Sequence, residues 1–142
     1  MKFDENAKIL IVGLGLIGGS YARALTEKGF ETGAIDVDQK AIDYALAKGW
    51  IKSGQTQADK DYVSRFDVVV FAVYPKTLIA WLERYRSFIK RGALVTDVSG
   101  VKGCVVYKAQ ELLQDRAEFI GAHPMAGREV SGVEHANPAI FK

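Results

Sequence analysis

Residues 8–19 read Lys-Ile-Leu-Ile-Val-Gly-Leu-Gly-Leu-Ile-Gly-Gly, and no other stretch narrows the possible folds as far. Lys8 to Val12 is apolar on both faces after its first residue, the pattern of a strand covered on both sides. Gly13-Leu14-Gly15-Leu16-Ile17-Gly18 follows at once, and a helical pattern then runs to about Lys28. A buried strand that enters a helix through three spaced glycines has a physical use. Gly13 permits the tight turn, Gly15 lets the backbone approach a pyrophosphate, and Gly18 allows the helix to pack close to the strand. The turn through Leu16 and Ile17 then offers free N–H groups and a partial positive charge to the phosphates.

The rest of the chain repeats the alternation. Glu31 to Asp36 reads as a strand, Gln39 to Lys48 as a helix with Ala41, Ile42, Ala45 and Leu46 on one side, and Gly49 as its stop. Trp50 to Tyr62 is ambiguous, with a short strand expected near Ile51. Asp67 to Val73 suits a central parallel strand. Pro75 opens a helix to about Ile89, with Leu78, Ile79, Leu82 and Tyr85 on one side. Ala93 to Val98, Lys102 to Gln114 and Glu118 to Ala122 read as strand, helix and strand. Five clear strands and one ambiguous one, separated by helices, predict an α/β fold, a Rossmann-type doubly wound, mostly parallel sheet with helices on both faces. Gly127, Gly132, Asn137 and Pro138 break up the end of the chain. The 142 residues are expected to form one domain, 1–142.

Charge and cysteine content exclude several classes of function. Nineteen Lys and Arg against 17 Asp and Glu leave a net charge of +2, too little basic excess for nonspecific binding to nucleic acid. The longest apolar run, Ile9 to Gly19, has 11 residues, four of them glycine, and a bilayer-spanning helix needs about 20. Asp4 and Glu5 sit where a secretory leader wants positive charge. One cysteine, Cys104, and two histidines make neither a disulfide nor a metal cluster. A soluble cytoplasmic protein, with no membrane or nucleic-acid partner and no metal, is expected.

Five further sites carry candidate chemistry. Asp36 ends the second strand, 18 residues after Gly18. A carboxylate there accepts hydrogen bonds from ribose hydroxyls and repels a 2′-phosphate, which favours NAD over NADP; the bland alternative is a turn or cap residue before Asp38. Val73-Tyr74 and Val98-Ser99 are expected to line the same crevice, because ligands bind outside the carboxyl ends of such strands. Ser99 either caps the following helix or meets a substrate hydroxyl. Lys102 either attracts an anionic substrate or is merely solvated. His123 follows the last strand, and Pro124 restricts its backbone to extended conformations. Its imidazole is either a base for the hydroxyl proton of an alcohol oxidised by NAD, or a histidine satisfied by nearby backbone.

Gly13 through Ser20, Thr96 through Lys102, and Gly121-Ala122-His123-Pro124-Met125-Ala126-Gly127 together resemble the prephenate/arogenate dehydrogenase family. The resemblance implies NAD(P)-dependent oxidative decarboxylation of prephenate to 4-hydroxyphenylpyruvate, or of arogenate to tyrosine, in tyrosine biosynthesis. It implies that His123 accepts, or hydrogen-bonds, the hydroxyl proton and that Ser99 assists. Family members commonly read Gly-Ser where this chain has Ser99-Gly100, so the serine is displaced by one position. The family's helical domain, which forms a homodimer and completes the substrate pocket, is expected to lie outside residues 1–142. That leaves little or no turnover for this chain alone. A catalytically silent NAD-binding sensor or partner module is the alternative.

Overall fold

The computed structural model describes residues 6–98 and 103–121. Its elements alternate along the chain as β1 (Lys8–Val12), α1 (Leu16–Glu27), β2 (Glu31–Ile35), α2 (Gln39–Ala47), β3 (Ser53–Gln55) and α3 (Lys60–Val63). There follow β4 (Val68–Phe71), α4 (Pro75–Tyr85), a 3-10 turn (Arg86–Phe88), β5 (Leu94–Asp97), α5 (Gly103–Leu113) and β6 (Glu118–Gly121). The six strands form one sheet in the order β3-β2-β1-β4-β5-β6, with every neighbouring pair parallel. This is the Rossmann-type doubly wound arrangement. The order reverses between β1 and β4, so the chain leaves the carboxyl ends of these two neighbours toward opposite faces and opens a crevice there.

Alternate residues of β1 feed two cores. Ile9 and Ile11 join Ala22 and Leu25 of α1 and Ile42 and Ala45 of α2 on one face. Leu10 and Val12 join Leu78 and Leu82 of α4 and Ala109 and Leu113 of α5 on the other. Fully burying a Leu or Ile side chain contributes roughly 1.5–3 kcal/mol, so the doubly covered central strands anchor the sheet.

Gly49 stops α2 as its position predicts. It adopts φ +73°, its N–H bonds to Leu46 O, and the Trp50 N–H reaches back to Ala45 O. The third strand lies at Ser53–Gln55 rather than around Ile51, which is buried just before it. Ser53, Gly54 and Gln55 carry no apolar or β-branched signal. Their pairing with Gly33, Ala34 and Ile35 makes them a strand. The helix from Pro75 ends at Tyr85 and tightens into the 3-10 turn. Leu46 is exposed, because α2 lies at the side of the sheet and turns only Ile42 and Ala45 fully inward.

Candidate functional site

β1 ends at Val12 and hands the chain to Gly13 at the reversal point of the sheet. Gly13 adopts φ +99°, and its N–H continues the β1–β2 ladder by donating to Ile35 O at 2.8 Å. A Cβ on Gly13 would stand 2.6 Å from Ala72 O and 2.8 Å from Val73 Cγ1. One on Gly18 would stand 1.8 Å from Gly13 O. Gly13 and Gly18 therefore close the strand, the helix and the β4–α4 connection upon one another. Gly15 differs: a Cβ there meets nothing within 4 Å, so its backbone faces open space.

Gly15 is also the N-cap of α1, where no side chain caps the helix and no acidic residue occupies the first turn. The first intrahelical bond runs from the Gly19 N–H to Gly15 O, so the turn through Leu16 and Ile17 lies ahead of the hydrogen-bonded helix. Ser20 donates its hydroxyl to Leu16 O at 2.9 Å, inside the helix. An uncapped helix start with open space before it and no acidic residue in its first turn suits an anion, by N–H donation and by the helix dipole.

Asp36 follows β2 at the same rim. Its Oδ2 accepts the Leu14 N–H at 2.6 Å and its Oδ1 accepts the Asp38 N–H at 2.8 Å. Its own N–H donates to Gln55 O. Asp36 is thus a turn residue and a loop contact together, while the N-cap of α2 is Asp38, which accepts from the Lys40 N–H. Val37, beside it, is 91% exposed. On the other side of β1, Val73 packs near Gly13, and Tyr74 is the 83% exposed N-cap of α4, with Pro75 at the first helical position. Gly13, Gly15, Leu16, Ile17, Gly18, Asp36, Val73 and Tyr74 are therefore brought to one rim. Ser99, Lys102 and His123 lie outside the described residues.

Three features of this rim were not singled out by spacing. Ala72 supplies the wall against Gly13 and Gly18, and its small side chain is what the close approach needs. Val37 places exposed apolar surface beside Asp36. Asp97 ends β5 fully buried. Burial, with the Asp97 charge adding to it, pushes the Tyr21 phenol up. Asp97 lies within the Thr96–Lys102 stretch, but no local pattern there marks it as buried. A separate cleft of about 420 Å³ near Arg86, Arg91 and Arg116 lies by the amino ends of β5 and β6, away from this rim. Among the described residues no group of acids, histidines and cysteines is placed to hold a metal, and no helix is long and apolar enough to cross a membrane.

Comparison with known proteins gives consistent likenesses. Residues 21–142 match the family described as prephenate dehydrogenase, nucleotide-binding domain. Prephenate dehydrogenase of Bacillus subtilis is 35% identical over 136 residues, covering 94% of this chain and 37% of that protein. The crystal structure of prephenate dehydrogenase from A. aeolicus in complex with hydroxyphenyl propionate and NAD+ superposes with a TM-score of 0.79 at 32% identity. It covers 99% of this chain and 49% of its own. Synechocystis arogenate dehydrogenase gives a TM-score of 0.76 at 28% identity, over 92% of this chain and 45% of its own. The chain thus spans between about a third and a half of the length of these relatives.

Proposed function

The chain belongs to the prephenate dehydrogenase nucleotide-binding domain family, and from that premise we propose that it holds NAD along the carboxyl edge of its sheet as the cofactor-binding part of a prephenate or arogenate dehydrogenase. The observation that carries the proposal is the cradle at α1: Gly13 and Gly18 closed against their neighbours, Gly15 open, and the helix start left without a side-chain cap. The diphosphate sits at that start, against the backbone of Gly15, Leu16, Ile17 and Gly18. Asp36 accepts the hydroxyls of the adenosine ribose and disfavours a 2′-phosphate, so NAD is preferred to NADP. Val73, Tyr74 and Ser99 border the cofactor further along the rim.

When bound, NAD supplies the hydride acceptor for a substrate carbon bearing a hydroxyl. His123, two residues beyond β6, takes or hydrogen-bonds the hydroxyl proton as the carbonyl develops. Ser99 steadies the same hydroxyl. Departure of the ring carboxylate as carbon dioxide leaves an aromatic ring and draws the oxidation forward. In this proposal residues 1–142 are the nucleotide-binding domain, and a helical domain of the longer protein forms the homodimer and completes the substrate pocket. The substrate is a small molecule, the setting is cytoplasmic tyrosine biosynthesis, and the 142-residue chain alone turns over little or no prephenate.

Titration of the chain with NAD and NADP tests the core of the proposal, with NAD expected to bind more tightly. Binding of neither at millimolar concentration refutes it. Robust prephenate oxidation by the chain alone would overturn the division of labour between the two domains.

A further inference from the structure

We propose that Asp36 is a positioning residue for the glycine loop, holding it ready through the backbone of Leu14, separately from any contact with a ribose. The inference rests on the NAD-binding reading above. Leu14 lies between Gly13, at φ +99°, and Gly15, around which nothing would meet a side chain. Neither glycine has a side chain with which to anchor this stretch. Two backbone donors tie it to the tip of β2: the Gly13 N–H on Ile35 O at 2.8 Å, and the Leu14 N–H on Asp36 Oδ2 at 2.6 Å. The second is charge-assisted and spans 22 residues of sequence, so it fixes the loop against a different part of the fold.

Counting lone pairs shows that this latch and a ribose contact are compatible. A carboxylate offers about four acceptor sites. The Leu14 and Asp38 N–H groups take one each. Those left match the two hydroxyls of an adenosine ribose. The loop is then set before the ligand arrives, which spares the ligand the cost of ordering it. Asparagine cannot reproduce this, since its amide nitrogen would face either the Leu14 or the Asp38 N–H, donor against donor. Alanine removes both acceptors.

The test measures amide hydrogen exchange of residues 13–19 in the ligand-free chain, and titrates NAD and NADP, for Asp36→Asn and Asp36→Ala. The latch predicts exchange at Leu14 faster by on the order of tenfold without any ligand, and roughly tenfold weaker binding of both dinucleotides. The fall for NADP is diagnostic, because removing a negative charge should by itself help a 2′-phosphate. Unchanged exchange, or NADP affinity that rises while NAD affinity falls, overturns the proposal and leaves Asp36 as a ribose contact only. If either variant fails to fold, Asp36→Glu carries the test. Its charge persists but its acceptors move by a methylene, so exchange should still rise and NAD affinity still fall, and no change in either overturns the latch. A native chain that binds neither dinucleotide refutes the NAD-binding reading instead, while the exchange result still decides the latch.

Discussion

Replacing Gly15 and Gly18 by alanine, one at a time, separates what the glycine turn does for the fold from what it does for a ligand. In Gly18→Ala the new Cβ would stand 1.8 Å from Gly13 O, 2.9 Å from Gly13 C and 3.2 Å from the Ala72 Cβ. A carbon–oxygen contact relaxes to about 3.3 Å, so roughly 1.5 Å of separation must be found. The obstructing atom is a backbone carbonyl, which cannot rotate away as a side chain would. Overpacking of this kind costs 1–3 kcal/mol and occasionally more; about 3 kcal/mol is expected, lowering Tm by roughly 6–12 °C. In Gly15→Ala the Cβ meets nothing within 4 Å, and φ −65°, ψ −165° is open to alanine. Loss of the N-cap glycine costs under about 1 kcal/mol. That Cβ nevertheless fills the space before the α1 N-terminus, so NAD affinity should fall by at least about tenfold, from the loss of phosphate contacts to backbone N–H groups. Thermal unfolding and NAD titration of both variants make the check. Equal destabilisation by the two alanines, or NAD bound by Gly15→Ala as tightly as by the native chain, would refute the reasoning.

Further outcomes follow from other parts of the molecule. His123→Asn, made in a version extended past Lys142, should lower turnover by roughly 10²–10⁴ while leaving NAD affinity nearly intact; an unchanged rate removes His123 from the chemistry. Leu82→Ala, at a fully buried α4 position, should cost about 2–5 kcal/mol in denaturant unfolding, and a loss below 1 kcal/mol would mean that α4 is not held by this core. Partial burial works to raise the Asp67 carboxyl, but the ion pair with Lys90 and the Lys8 N–H outweigh it and hold the group below its ordinary value. A group lowered in this way adds stability above its unfolded value of about 3.9, and that stability is lost as pH falls through the folded-state value. Lys90→Ala should therefore be less stable at pH 7 by under about 1 kcal/mol, the gap closing toward pH 2. A gap that persists in acid would assign the effect to something other than Asp67.

The strongest local signals translated directly into structure, because in each the deciding interaction lies within a few residues. Lys8–Val12 read as a doubly covered strand, Gly49 as the stop of α2, and Gly13, Gly15 and Gly18 as the turn between β1 and α1. Asp36 was readable as the acid at the tip of β2, and the alternation of elements was enough for the doubly wound class. Ser53–Gln55 has no strand signal of its own and is a strand because β2 pairs with it. The wall that Ala72 makes against Gly18 depends on β4 lying beside β1, which no local pattern encodes. Asp36 bonds to Leu14 across 22 residues, and only the packed sheet brings them within 2.6 Å. By itself the sequence determined which elements form and where the chain needs glycine, since propensity, period and backbone sterics act locally. Only the tertiary structure decided which carbonyl, carboxylate and open space those glycines face, because parallel strands join segments that are distant in the chain.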